Sequence, residues 1–181
     1  MPTLKGLRDY SEHNVLPYFG YSGSYPVNKG TFVKVADSGF LGQDIALAGA
    51  LGFSVGGTLS ERWAVQAVTA PVTSTGDRVL GMLLLDGREV DENGQRLVWD
   101  TRKAAEMNVF ISGQNAPIVL RGTFQYSGIV GNPQAGDLAY VTPQDNGSLS
   151  VTGAGNLSTS VGRFLSVKNA QGIATVLIDV R

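Results

Sequence analysis

RKAAEMNVFISGQNAPIVLRGTFQY, residues 102–126, is the stretch whose reading decides the fold class of this chain. A polar lead-in gives way to the apolar run Val109, Phe110, Ile111, then a turn at Ser112, Gly113, Gln114 and Asn115, then a second run at Ile118, Val119 and Leu120 before Gly122. A helix needs an unbroken period of about 3.6 residues, whereas β-branched and aromatic runs parted by Gly and Asn read as strands joined by a turn. The stretch predicts a β-hairpin, and nothing in it is arranged for chemistry.

The same pattern continues on the C-terminal side. Val79–Leu85 is a nearly continuous apolar run closed by Asp86-Gly87, which predicts a buried strand followed by a turn. Asn93-Gly94, between Arg88–Val90 and Arg96–Trp99, is a two-residue hairpin signal, because a type I′ turn needs positive φ at both positions. Asn146-Gly147, between Leu138–Thr142 and Ser148–Val151, repeats it. Val161–Val167 and Ile173–Val180 flank a loop with Asn169 and Gly172, which predicts a third hairpin ending the chain.

Upstream, Gly30 opens a strand at Thr31–Ala36. Asp37–Gly57 holds Gly39, Gly42, Gly49, Gly52, Gly56 and Gly57, too many glycines for a long helix, and predicts a long Gly-rich loop. Leu59–Thr69 fits either a helix face or a strand face, and the lack of capping signals at both ends favours the strand. Roughly eight to ten short strands without a long helix predict an all-β fold, a small β-barrel or sandwich of short antiparallel strands.

Residues 1–29 are different. They have little periodicity, carry Tyr10, Tyr18, Phe19, Tyr21 and Tyr25, and are interrupted by Pro17, Gly20, Gly23 and Pro26. Such aromatics are poorly placed in water. We expect an extended N-terminal arm over 1–29 that docks on a neighbouring surface, the alternative being a strap across its own domain. A single β domain is expected over 30–181, with the Gly-rich loop at 37–57.

Composition narrows the function. Lys and Arg number 14 against 15 Asp and Glu, a net charge of −1, so no general basic field exists to hold nucleic acid. Gly reaches 24 of 181 residues and charged residues only 16%, the profile of a turn-rich β protein. The absence of Cys excludes disulfides, thiolate metal sites and a Cys nucleophile. The N-terminus carries Arg8, Asp9, Glu12 and His13 where a signal peptide has its apolar core, and Ile45–Phe53 is too short to span a bilayer. We expect a soluble protein made in a cytoplasm, without a membrane partner.

Catalytic signals are scarce. His13 is the one histidine, and no nucleophile-elbow or phosphate-loop pattern accompanies it. Asp86, Asp91 and Asp100 are the carboxylates a cleft could pair for glycoside chemistry. Glu89, Asp91, Asn93, Gly94 and Asp100 fall on positions of a calcium loop, but the hairpin at Asn93-Gly94 accounts for the same residues more simply. Trp63 and Trp99 read as core or interface residues rather than sugar platforms. We expect no enzyme, metal or cofactor.

Several stretches carry a resemblance. Tyr10-Ser-Glu-His-Asn-Val-Leu-Pro-Tyr-Phe19, Asn28-Lys-Gly-Thr-Phe-Val-Lys34, Arg102-Lys-Ala-Ala-Glu-Met107, Ser112-Gly-Gln114 and Leu120-Arg-Gly122 resemble the capsid decoration (cement) proteins of tailed bacteriophages. Gly136-Asp137, Val161-Gly-Arg-Phe-Leu-Ser-Val-Lys168 and Gly172–Val180 resemble the closing strands of the same small β-barrel. The resemblance implies a structural virion protein on the capsid exterior, commonly a homotrimer, which bridges capsomers by binding the major capsid protein. It assigns no site residues. From the aromatic arm we expect Tyr10, Val15, Leu16, Tyr18, Phe19 and Tyr21 to contact the capsid or a sister protomer. The rival reading is a receptor- or carbohydrate-binding β domain of a fibre or tail.

Overall fold

Phe32-Val33, Met82-Leu83 and Ile118-Val119 are three pairs of consecutive residues in which both side chains are buried. Successive side chains of a strand point to opposite faces, so these strands are covered on both sides. In the structure, a computed structural model, described residues are 4–7, 11–40, 67–112, 114–143, 148–153 and 159–180, without the side chains at 18, 36–40, 67, 68 and 101.

Within them the chain is almost wholly β. The strands are β1 (Leu4–Gly6), β2 (Val15–Tyr21), β3 (Phe32–Phe40), β4 (Ala67–Pro71), β5 (Gly81–Leu83), β6 (Asp86–Gly87) and β7 (Val109–Phe110). They continue as β8 (Asn115–Val119), β9 (Arg121–Tyr126), β10 (Ile129–Val130), β11 (Leu138–Thr142), β12 (Ser148–Ser150), β13 (Ser160–Phe164) and β14 (Ala174–Asp179). A single α-helix among the described residues, α1 (Thr101–Glu106), joins two 3-10 turns at Glu12–Asn14 and Leu97–Trp99.

Five strands close into a barrel in the order β2-β4-β3-β5-β8. An odd number of strands in a ring cannot alternate direction throughout, so one neighbouring pair must be parallel. That pair is β2 with β4, aligned Phe19 to Ala67 and Tyr21 to Thr69, while the other four are antiparallel. The remaining large sheet has seven strands in the order β1-β9-β14-β13-β11-β12-β10.

Alternation then sorts the side chains. Val33, Leu83 and Ile118 join Phe19, Tyr21 and Ala116 in one cluster, the filling of the barrel. Their neighbours Phe32, Met82 and Val119 join Phe124, Tyr126, Phe164, Val176 and Ile178 in a second cluster, between barrel and sheet. The barrel wall at β3, β5 and β8 is thus shared by two cores. Tyr126 ties the layers together, its hydroxyl donating to the Gly30 carbonyl at 3.2 Å.

The all-β expectation with a barrel holds, and so do two hairpins: β11 with β12, and β13 with β14. The turn at Asn146-Gly147 lies outside the described residues, as do Trp63 and residues 41–57 of the expected loop. Four expectations are corrected. The two runs around 109–120 do not pair with each other; β7 lies parallel to β6, and β8 sits between β2 and β5. Each finds a better partner because Gln114 folds the link, its N–H donating to the Ile111 carbonyl and its side-chain oxygen accepting from the Ile111 N–H. Asp86-Gly87 is a strand rather than a turn, because Gly87 lacks the Cβ that would lie 2.7 Å from the Phe110 ring. Strand β3 runs on to Phe40, four residues into the expected loop, with an irregularity in its pairing to β4 after Val35.

The fourth correction concerns the arm. Its Val15–Tyr21 is a barrel strand, hydrogen-bonded on both edges, and Leu4–Gly6 extends the seven-stranded sheet beside β9. Two of the aromatics there serve this chain's own core: Phe19 is 4% exposed and Tyr21 9%. Alternation masked by Pro17 and Gly20 concealed the strand.

Candidate interaction surface

Between β5 and β8 the chain leaves the barrel and returns, and this excursion over residues 84–114 has a small core of its own. Leu97, Ala104 and Ile111 are buried together, with Met107 and Val109 packed against them. So small a core gains little from burial, and polar contacts hold the rest.

Asp91 is the hub. Its Oδ1 accepts from the backbone N–H of Asn93 and of Gln95, each at 2.8 Å, and its Oδ2 meets Lys103 Nζ at 2.5 Å. Lys103 also reaches Glu92 Oε1 at 3.0 Å. The hydrogen bond from Lys103 is the main reason the Asp91 carboxyl is held below its usual pKa, and Asp91 correspondingly raises that of Lys103. The loop is a tight turn in which Gly94 N–H donates to the Asp91 carbonyl and Gly94 takes φ 79°, a three-residue hairpin loop. Positive φ is confined to Gly94, so the expected type I′ turn is replaced by this one, and only Val90 and Arg96 bridge beyond it.

The other candidate catalytic groups have structural tasks. Asp100 Oδ1 caps α1 by accepting from Lys103 N–H at 3.0 Å. Asp86 Oδ1 accepts from Lys29 N–H at 2.7 Å. Arg88 donates to the carbonyls of Val27 and Gly87 and to Asn28 Oδ1, which fastens the base of the excursion to the chain after β2. His13 sits exposed in its 3-10 turn. The calcium-loop pattern is spread over this hydrogen-bonded turn and the helix cap, and no group of three or more metal-ligating side chains exists among the described residues.

Upon this braced frame stand apolar side chains that face solvent. Trp99 is 83% exposed, Val98 56% and Val90 46%. An indole left in water next to Val98, on a scaffold braced by the buried Asp91 carboxylate and its bond to the partly exposed Lys103, is suited to recognition. Trp99 is therefore not a core residue. Val98 and Trp99 lie just ahead of the Asp100 cap, on a 3-10 turn whose Leu97 alone points inward, and that spacing distinguishes neither strand nor helix.

Of the six expected contact residues, the four whose side chains are described are turned wholly or partly inward. Phe19 and Tyr21 are inside, and Val15 and Leu16 are half-buried against the two cores. Tyr10 lies outside the described residues, and so does the side chain of Tyr18. Among the described residues no helix is long and apolar enough to cross a membrane. No known protein family matches the chain, and no curated protein is significantly similar to it.

Proposed function

We propose that this chain is a structural, non-enzymatic virion protein that binds the outer surface of a tailed-phage head as a homotrimer and bridges its capsomers through the major capsid protein. The observation that carries the reading is the exposed group Trp99, Val98 and Val90 on a braced excursion of the barrel. Large aromatic side chains are the commonest anchors of protein interfaces. The three carboxylates that were catalytic candidates, Asp86, Asp91 and Asp100, are each engaged in bonds to the backbone, which favours a binding role over an enzymatic one. Many copies on a lattice add their modest affinities by avidity. The resemblance in sequence supplies the head as partner and the trimer as assembly.

The test is co-sedimentation with heads of the source phage stripped of the protein. The reading expects saturation at a fixed copy number set by lattice symmetry, with heads made more resistant to heat. Trp99→Ala should reduce affinity by at least about 30-fold, the size of an interface hot spot, without altering the unfolding midpoint. Absence of binding to heads overturns the proposal. A second reading, a glycan- or receptor-binding domain, is favoured by the same solvent-facing indole, and capture by a glycan array that Trp99→Ala abolishes would select it.

A further inference from the structure

A cleft of about 420 Å³ opens between the bend at Tyr25-Pro26 and the Asp91 loop. Its walls are apolar at Tyr25, Pro26, Val90 and Met107, and its rim carries Glu89 and Glu92. The charges around it do not balance: three carboxylates, Glu89, Asp91 and Glu92, face two cations, Arg88 and Lys103. Arg88 lines the cleft but is engaged by the carbonyls of Val27 and Gly87, by Asn28 Oδ1 and, at 3.9 Å, by the Asp86 carboxylate, and Lys103 divides itself between Asp91 and Glu92. Among the described residues the exposed Glu89 carboxylate has no ion pair or hydrogen bond. The Glu89 charge is therefore left uncompensated beside an apolar pocket. Within the same pocket the Tyr25 hydroxyl is buried without a hydrogen-bond partner. Glu89 lines the same cleft, and its charge is second to burial in raising the phenol's pKa.

We propose that this cleft receives an arginine side chain presented by a partner protein. An arginine's methylene stem covers the apolar walls while its head remains charged. The planar guanidinium offers five donors, enough to pair with Glu89 in two-pronged fashion and to give the Tyr25 oxygen its missing partner. It also lies against an aromatic face at lower desolvation cost than an ammonium. The inference concerns any protein partner, so it neither rests on the capsid reading nor falls with it.

The chain has three methionines, Met1, Met82 and Met107, which makes a selective probe. Met107 lines the cleft, and Met82 is fully buried in the core. With methyl-¹³C methionine in the full chain, the acetylated and amidated peptide Gly-Leu-Arg-Leu-Gly should shift the Met107 resonance saturably, in the millimolar range expected of one anchoring side chain, and leave Met82 in place. The same peptide with citrulline, which keeps the shape and loses the charge, should bind at least about tenfold more weakly. Glu89→Gln should cause a similar loss for the arginine peptide, while an unmoved Met82 signal certifies its fold. A Met107 signal that ignores the arginine peptide, equal binding of the citrulline peptide, or full binding by Glu89→Gln would each overturn the proposal.

Discussion

Gly30 adopts φ 88°, and a Cβ there would stand 2.6 Å from the Tyr126 ring, whose hydroxyl is bonded to the same residue's carbonyl. Gly94 adopts a similar φ of 79° but has open space around it. The pair separates two costs that are usually confounded. Gly94→Ala should cost about 1–2 kcal/mol, the left-handed backbone alone. Gly30→Ala adds an overpacked core and should cost roughly 1–3 kcal/mol more, read as the difference in urea unfolding. Equal losses would show that the Tyr126 ring moves aside freely.

Titration gives a second prediction at this scale. The Asp91 carboxyl has a lowered pKa in the folded protein, chiefly through Lys103, so its stabilisation is complete above the unfolded carboxyl value of about 3.9 and is lost as pH falls through the folded value. Lys103 is raised, so its share is complete below about 10.4 and is lost only as pH rises through its folded value. Asp77 belongs to the acid limb as well: burial works to raise it, and bonds from Lys34, Thr73 and Ser74 outweigh that. Unfolding midpoints should therefore be flat through neutral pH and fall below about pH 4. Asp91→Asn should shallow that acid limb; an unchanged slope would show that the Lys103 contact persists in the unfolded chain.

Among the elements, β2 decides how the N-terminus is to be understood. It bonds to β8 on one edge and to β4 on the other, and Phe19 fills the barrel between Ala116 and Leu83. Phe19→Ala should cost about 3–5 kcal/mol, as for other buried Phe truncations, measured by denaturant unfolding. Removal of residues 1–26 takes out a wall of the barrel, so the truncated chain should lose its cooperative thermal transition. A sharp transition in that variant would mean that the barrel closes without β2. Two turns share one device: Asn169 Oδ1 accepts from Gln171 and Ile173 N–H as Asp91 does from Asn93 and Gln95, each with a glycine at positive φ ahead of the last donor.

At the level of the whole molecule, one barrel wall serves two cores, and the excursion over 84–114 carries the exposed side chains of Val90, Val98 and Trp99. Trp99 contributes nothing to either core. Trp99→Ala should accordingly leave stability within about 0.5 kcal/mol of the parent, as for other exposed positions. Indole quenching by iodide, followed in a Trp63→Phe background, should be strong in free protein and suppressed on heads. Undiminished quenching on saturated heads would remove Trp99 from the interface.

Much of this was legible in the chain. The Asn146-Gly147 and Asn169–Gly172 signals marked the hairpins of β11 with β12 and of β13 with β14, and glycine content with scarce charge announced an all-β fold. Those features are local, since turn chemistry is decided within a few residues. Pairing is not local. Whether Val109–Phe110 meets Ile118–Val119 or Asp86–Gly87, whether Tyr18–Tyr21 is an arm or a wall, and whether Trp99 is buried or bare depend on what arrives from far along the chain. An apolar run states only that it wants cover. Which surface supplies that cover, and hence which aromatic remains uncovered, was decided by the tertiary structure, where closing a five-stranded ring required β2 and left Trp99 outside.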